Sequence, residues 1–170
     1  MLVYNIIKIY IIIWITYKFV TKYSLSILDY LGRHRIIKDR IDDEPYLERY
    51  YLLIKDRKNF PFNIFLHKFL KSDPDDLHDH PWPYFTFILC GGYWEYTPEG
   101  KFWRGPLSFR WNKAKSFHRL ELDNTKPTCW TLFIPGPKQR EWGFKTKEGW
   151  VHNEKYLKTR KCSKKQYKQD

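Results

Sequence analysis

The chain has 170 residues, enough for one ordinary domain and not comfortably two. Aromatic residues make up 19%, which leans towards β structure, and the formal net charge of +12 favours anionic partners without choosing among small acids, phospholipid headgroups and nucleic acid. The three cysteines, Cys90, Cys129 and Cys162, have no CxxC or CxxH spacing, which excludes a zinc finger and argues against a disulfide framework.

Residues 1–20 are nearly all apolar, and only Asn5 and Lys8 interrupt them before Lys18. That length suffices to cross a bilayer. Lys8 lies close enough to the N-terminus to snorkel outward. The flank that follows is basic (Lys18, Lys22, Arg33, Arg35, Lys38), which by the positive-inside rule places the bulk of the chain on the cytosolic side. The expectation is an apolar N-terminal helix acting as a single-pass membrane anchor with a cytosolic C-terminal domain. The alternative is a helix packed on its own domain or on a partner, in an otherwise cytoplasmic protein. Residues 21–44 read as a helical, basic connector.

From residue 45 to 154 the pattern is that of short strands separated by turns, as in a sandwich or small barrel. Tyr46 to Ile54 is strand-like, Asp56-Arg57-Lys58-Asn59 reads as a hairpin turn, and Pro61 to Leu70 is the return strand. His67 on that strand either looks into a cavity or is a hydrogen-bonded core histidine. After an acidic turn (Asp73, Asp75, Asp76) comes Leu77-His78-Asp79-His80-Pro81-Trp82, then the apolar run Tyr84 to Leu89 and the Gly91-Gly92 turn. Residues i and i+2 of a strand share a face. His78 and His80 therefore aim at one space and Asp79 points away, the spacing of a two-toothed metal clamp. His118, in Ser116 to Leu122, is the candidate third ligand. Further strands follow over Thr128 to Ile134 and beyond. Residues 155–170 are basic and polar and read as a disordered tail.

His78-Asp79-His80, Gly91-Gly92 and the later His118 resemble the cupin superfamily. In its first motif a Glu follows the HxH pair, but here Tyr84 or Phe85 stands in that slot. In its second motif Gly105-Pro106 and His118 are recognisable, while Lys113-Ala114-Lys115 and Leu122 replace the inner glycine turn and the asparagine. The resemblance is closer to a small, mostly uncharacterised cupin-like group. It is carried by Leu77–Trp82, Gly91–Glu95, Phe117–Glu121, Cys129–Pro137, Glu141–Phe144 and Gly149–His152.

The resemblance implies an all-β, cupin-type double-stranded β-helix (a jelly-roll barrel) with a divalent metal in its mouth on His78, His80 and His118. Three neutral histidines leave open positions on the ion and its full charge, which suits an anionic, chelating substrate. The set is similar to the three-histidine arrangement of thiol dioxygenases. Fe(II) is therefore the first expectation, with Zn, Mn or Ni open. Tyr84 is the candidate donor to a metal-bound ligand. Glu95 and Glu121 are the carboxylates nearest the motifs in sequence, each a candidate ligand or general base, although strand parity turns Glu121 away. Arg104, Arg110 and Arg119 are candidates to hold a substrate carboxylate. Trp82, Trp142 and Trp150 read as barrel packing.

The leading expectation is a metal-dependent oxygenase or related enzyme acting on a small anionic molecule. A non-catalytic cupin-fold binding or assembly module is the alternative. The other partners expected are a membrane, through residues 1–20, and a second copy of the chain. Nucleic acid rests on tail charge alone and ranks last.

Overall fold

The computed structural model describes residues 6, 11, 18, 20–55, 60–74, 76–125 and 127–167. A helix, α1 (residues 20–30), leads into strands β1 His34–Lys38, β2 Pro45–Tyr51, β3 Phe65–Phe69, β4 Tyr84–Cys90, β5 Tyr93–Thr97 and β6 Gly100–Arg104. Then follow β7 Phe109–Asn112, β8 Arg119–Leu122, β9 Cys129–Pro135, β10 Gly143–Thr146, β11 Gly149–His152 and a closing helix, α2 Asn153–Tyr167. The all-β core expected from the aromatic, alternating sequence is present.

Six strands form one antiparallel sheet in the order β1-β2-β3-β9-β4-β7, three form a second in the order β6-β5-β8, and β10-β11 is a hairpin. The insertion of β9 between β3 and β4 makes the chain cross over rather than meander. Period-2 patterning explains the layering. In β3, Phe65, His67 and Phe69 are buried while Leu66 and Lys68 are half-buried, and in β4, Tyr84, Thr86 and Ile88 face inward. Leu47, Phe69, Ile88 and Cys129 of the large sheet pack against Tyr93, Leu120 and Leu122 of the small one. The Gly91-Gly92 turn runs against this core. A Cβ on Gly91, whose φ is +80°, would lie 2.3 Å from the Thr128 carbonyl oxygen, so only glycine fits.

Three expectations need correction. The strands expected over 46–54 and 61–70 are shorter. Asn63, buried, bonds Ile54 at both main-chain groups and takes the place of strand pairing there, while the turn expected at Asp56-Arg57-Lys58-Asn59 lies outside the described residues. The connector 21–44 is not helical throughout: after α1 its Ile36-Ile37 stretch becomes β1, paired with β2 from His34↔Tyr50 to Lys38↔Pro45. The tail from 155 is not disordered but helical as far as Tyr167. Tyr156 anchors it, stacking on Phe144 with centroids 3.9 Å apart and donating from its hydroxyl to Asp76 Oδ2 at 2.6 Å. One well-placed aromatic residue outweighs a polar composition.

The expected anchor over residues 1–20 lies outside the described residues except for 6, 11, 18 and 20. Among the described residues no helix is long and apolar enough to cross a membrane.

Candidate metal centre

The segment carrying the two clustered histidines is extended but belongs to no sheet. His78 donates its N–H to the His118 carbonyl and accepts from the His118 N–H, both at 2.9 Å, and it also bridges Phe144. Leu77 accepts from Lys145 N at 2.7 Å, and His80 N donates to Ala114 O at 3.0 Å. The period-2 consequence still holds. Asp79 turns away from the cavity, fully buried, and its carboxylate accepts from Gly143 N at 2.7 Å and Trp150 Nε1 at 3.1 Å, with Arg140 Nη1 at 3.0 Å. Asp79 N donates in turn to Gly143 O at 3.0 Å. Gly143 has no room for a side chain, because a Cβ there would lie 2.2 Å from Val151 O.

On the opposite side the three rings form a near-equilateral triangle. The centroid separations are 5.2 Å for His78–His80, 5.0 Å for His78–His118 and 5.0 Å for His80–His118. One nitrogen from each lies within 4.8 Å of the other two, and His80 Nε2 and His118 Nε2 are 2.8 Å apart. His78 Nδ1 is buried with no hydrogen-bond partner. Burial, followed by repulsion from His118, holds the pKa values of His78 and His80 well below the ordinary histidine value. Neutral, convergent imidazoles with an orphaned nitrogen among them are a donor set that fits a divalent transition metal.

Tyr84, buried at the start of β4, places its hydroxyl 3.1 Å from His118 Nε2. Burial, then the Glu95 charge, raises its pKa well above the usual phenol value, so the group stays a donor. Glu95, on β5, sits behind His118 with Oε1 3.4 Å from Nδ1, while Oε2 accepts from Arg104 Nε at 2.8 Å and lies 3.3 Å from Arg110 Nη1. Burial alone would raise its pKa, but His118, Arg104 and Arg110 pull it down to about 2. A carboxylate behind one ring nitrogen orients the ring and leaves the other nitrogen for a metal. Glu121 faces outward, on Arg119, Lys101 and Tyr96, as strand parity predicts. Arg104, Arg110 and Arg119 thus each have a carboxylate partner. Trp82 lines the cavity, Trp142 lies against His78, and Trp150 ties down Asp79.

The rings open into a cavity of about 210 Å³ between the sheets. Its wall includes residues that sequence reasoning passed over: Arg40, Arg49 and Asp73, together with His67. His67 combines both readings offered for it, since it lines the cavity and its Nε2 accepts from Arg49 Nε at 2.9 Å. Parity alone does not single out Arg49, because both faces of β2 alternate apolar or aromatic residues with a charge, Tyr46-x-Glu48-x-Tyr50 and Leu47-x-Arg49-x-Tyr51.

No family model and no curated protein sequence matches the chain. Solved structures do. A cupin-2 domain protein from Rhodospirillum rubrum superimposes with a TM-score of 0.53 at 11% identity, over 68% of this chain and 78% of that one. The polyketide cyclase RemF from Streptomyces resistomycificus gives 0.52 at 13% identity, over 64% and 76%. Fe(II) HppE gives 0.49 at 14% identity, over 61% and 57%. The first two likenesses, with the sheet arrangement, give the chain a cupin-type β fold, and that fold carries a three-histidine cluster. At these identities the likeness is one of fold.

Proposed function

We propose that the chain is a metal-dependent cupin enzyme. It holds a divalent ion, Fe(II) before Zn, Mn or Ni, on His78, His80 and His118, and acts as an oxygenase or related enzyme on a small anionic molecule. The observation that carries this reading is the convergence of three imidazoles on one point in the cavity between the sheets. When bound, such an ion supplies Lewis acidity or redox chemistry at its open positions. The chain's own residues then have separate tasks. Tyr84 donates a hydrogen bond to the reacting group. Glu95 fixes the tautomer of His118, and Trp82 and Phe133 keep bulk water from the cavity wall. The closer affinity to the small group marked by Leu77–Trp82 rests on its sequence segments.

Elemental analysis after purification and reloading tests this. One equivalent of metal is expected for the wild type and none for His80→Ala. No stoichiometric uptake, or uptake unchanged in that variant, overturns the reading.

We further propose that residues 1–20 tether this domain to a membrane. Exposed apolar side chains at helical spacing on α1 (Val20, Tyr23, Ile27), with Leu31 just past its end, support this reading. Full-length protein should resist alkaline extraction from membranes, and a chain starting at residue 21 should not. Full-length protein in the soluble fraction overturns the tether.

A further inference from the structure

We propose that Arg49 is the anion receptor of the cavity: it takes the carboxylate or phosphate group of the substrate, with its guanidinium held in place by His67. This deepens the three-histidine reading and rests on it for the reacting end of the molecule.

Arg49, His67 and Thr131 stand in register on the adjacent strands β2, β3 and β9, and all three line the cavity. They form a polar row across the inner face of the sheet. Arg49 Nε donates to His67 Nε2, so the imidazole is neutral, carries its proton on Nδ1 and serves as a strut rather than a counter-ion. Burial, followed by the Arg49 charge, holds the His67 pKa well below its ordinary value, consistent with that role. The guanidinium carbon lies 4.7 Å from the centroid of Phe65, which fixes the plane of the fork.

Among the described residues no carboxylate pairs with Arg49. The two acids that line the cavity are engaged elsewhere. Asp73 accepts from Tyr46 Oη at 2.5 Å and Leu120 N at 2.7 Å, and Glu95 is held by Arg104 and Arg110. The cross-strand neighbour of Arg49 on β1 is Arg35, a like charge that worsens the imbalance. A half-buried guanidinium whose side-chain partners are the neutral His67 and the Tyr51 hydroxyl still lacks an acid, and its charge is costly unless something else supplies the anion. Its planar fork matches a carboxylate or phosphate in two parallel hydrogen bonds. Thr131 Oγ1, buried with no hydrogen-bond partner, is a further donor in the same row.

The relation to the histidines sets the shape of the ligand. His67 stacks on Phe133 at 5.0 Å, Phe133 on Tyr84 at 5.0 Å, and the Tyr84 hydroxyl meets His118. Two aromatic rings thus separate the anion end from the metal end along one wall. A molecule that spans them has a chelating head, a short apolar spacer and a terminal carboxylate or phosphate.

Calorimetric titration of the full chain, metal-free and metal-loaded, with succinate, inorganic phosphate and uncharged succinamide tests the assignment. Succinate or phosphate should bind at one equivalent in both forms, and succinamide should not. Arg49→Met should weaken anion binding roughly tenfold or more while metal stoichiometry is unchanged. Arg49→Lys, which keeps the charge without the fork, should weaken it less, and it carries the test if the methionine variant does not fold. Equal affinity in wild type and the folded variants, or no saturable binding of either anion, overturns the proposal. Anion binding that depends on Arg49 in a chain that takes up no metal would overturn the three-histidine reading and leave this one standing.

Discussion

His78 and His118 exchange both main-chain hydrogen bonds at 2.9 Å, a single antiparallel pair between an isolated segment and the residue preceding β8. Such a pair fixes two Cα atoms about 5.5 Å apart with side chains on the same face. The two rings are therefore juxtaposed by backbone, not by contacts between their side chains. His118→Gln should lose stoichiometric metal yet keep the bridge. Its metal-free form should unfold cooperatively, with a thermal midpoint within a few degrees of the metal-free wild type. A collapse of that midpoint would show that the imidazole, not the main chain, holds the segment.

Glu95 reaches His118 from behind, while Arg104 and Arg110 hold the carboxylate ionised. Glu95→Gln keeps the shape and removes the charge that orients the ring. Loss of such a partner lowers metal affinity by about 10–100-fold. Competition with a chromogenic chelator reads this directly. An unchanged affinity would show that Glu95 serves only to neutralise the two arginines.

Asp79 ties the HxH segment to β10 and β11 through Gly143 and Trp150, with Arg140 alongside. Asp79→Ala leaves a buried N–H and an indole N–H without acceptors. The expected loss is roughly 3 kcal/mol of unfolding free energy, read from urea titration of the metal-free chain. Metal affinity should fall too, because the residues on either side of Asp79, His78 and His80, are two of the three proposed ligands. Full stability in this variant would mean that water replaces the carboxylate.

Much of this is legible in the sequence because it follows from a period of two. His78, His80 and the opposed Asp79 sort to two faces whether or not a strand forms, and Glu121 sorts outward by the same rule. The sequence offers Glu95 as a ligand or general base but not its place behind His118, because its partners Arg104, Arg110 and His118 come from three other stretches whose register no local pattern specifies. β1 was hidden in a basic stretch, and α2 was hidden because its docking rests on Tyr156 meeting Phe144 across the fold. Arg49 was passed over because a charged residue in a strand is ordinarily a solvent-facing one.

At the turn between β1 and β2, Asp39 Oδ1 accepts from Ile41 N at 2.8 Å and Asp42 N at 2.6 Å, and Oδ2 accepts from Lys71 Nζ at 2.6 Å. Burial alone would raise its pKa, but these bonds and the Lys71 charge prevail and lower it below the ordinary 3.8. A carboxyl that is a stronger acid when folded binds its proton more readily when unfolded. Its stabilisation is therefore complete above the ordinary value and drains away as pH falls through the folded one. Asp39→Asn should be less stable than wild type near neutral pH, and its urea midpoint should decline less steeply as pH falls below the ordinary carboxyl value of 3.8. Lys71→Met should shallow the same slope, since the lysine is the charge that lowers this pKa, and the double variant should add little to either single one. Parallel slopes in wild type and Asp39→Asn would place the acid sensitivity elsewhere, with the Glu48–Lys68 pair, whose nitrogen and oxygen are 2.9 Å apart, as the next site to vary.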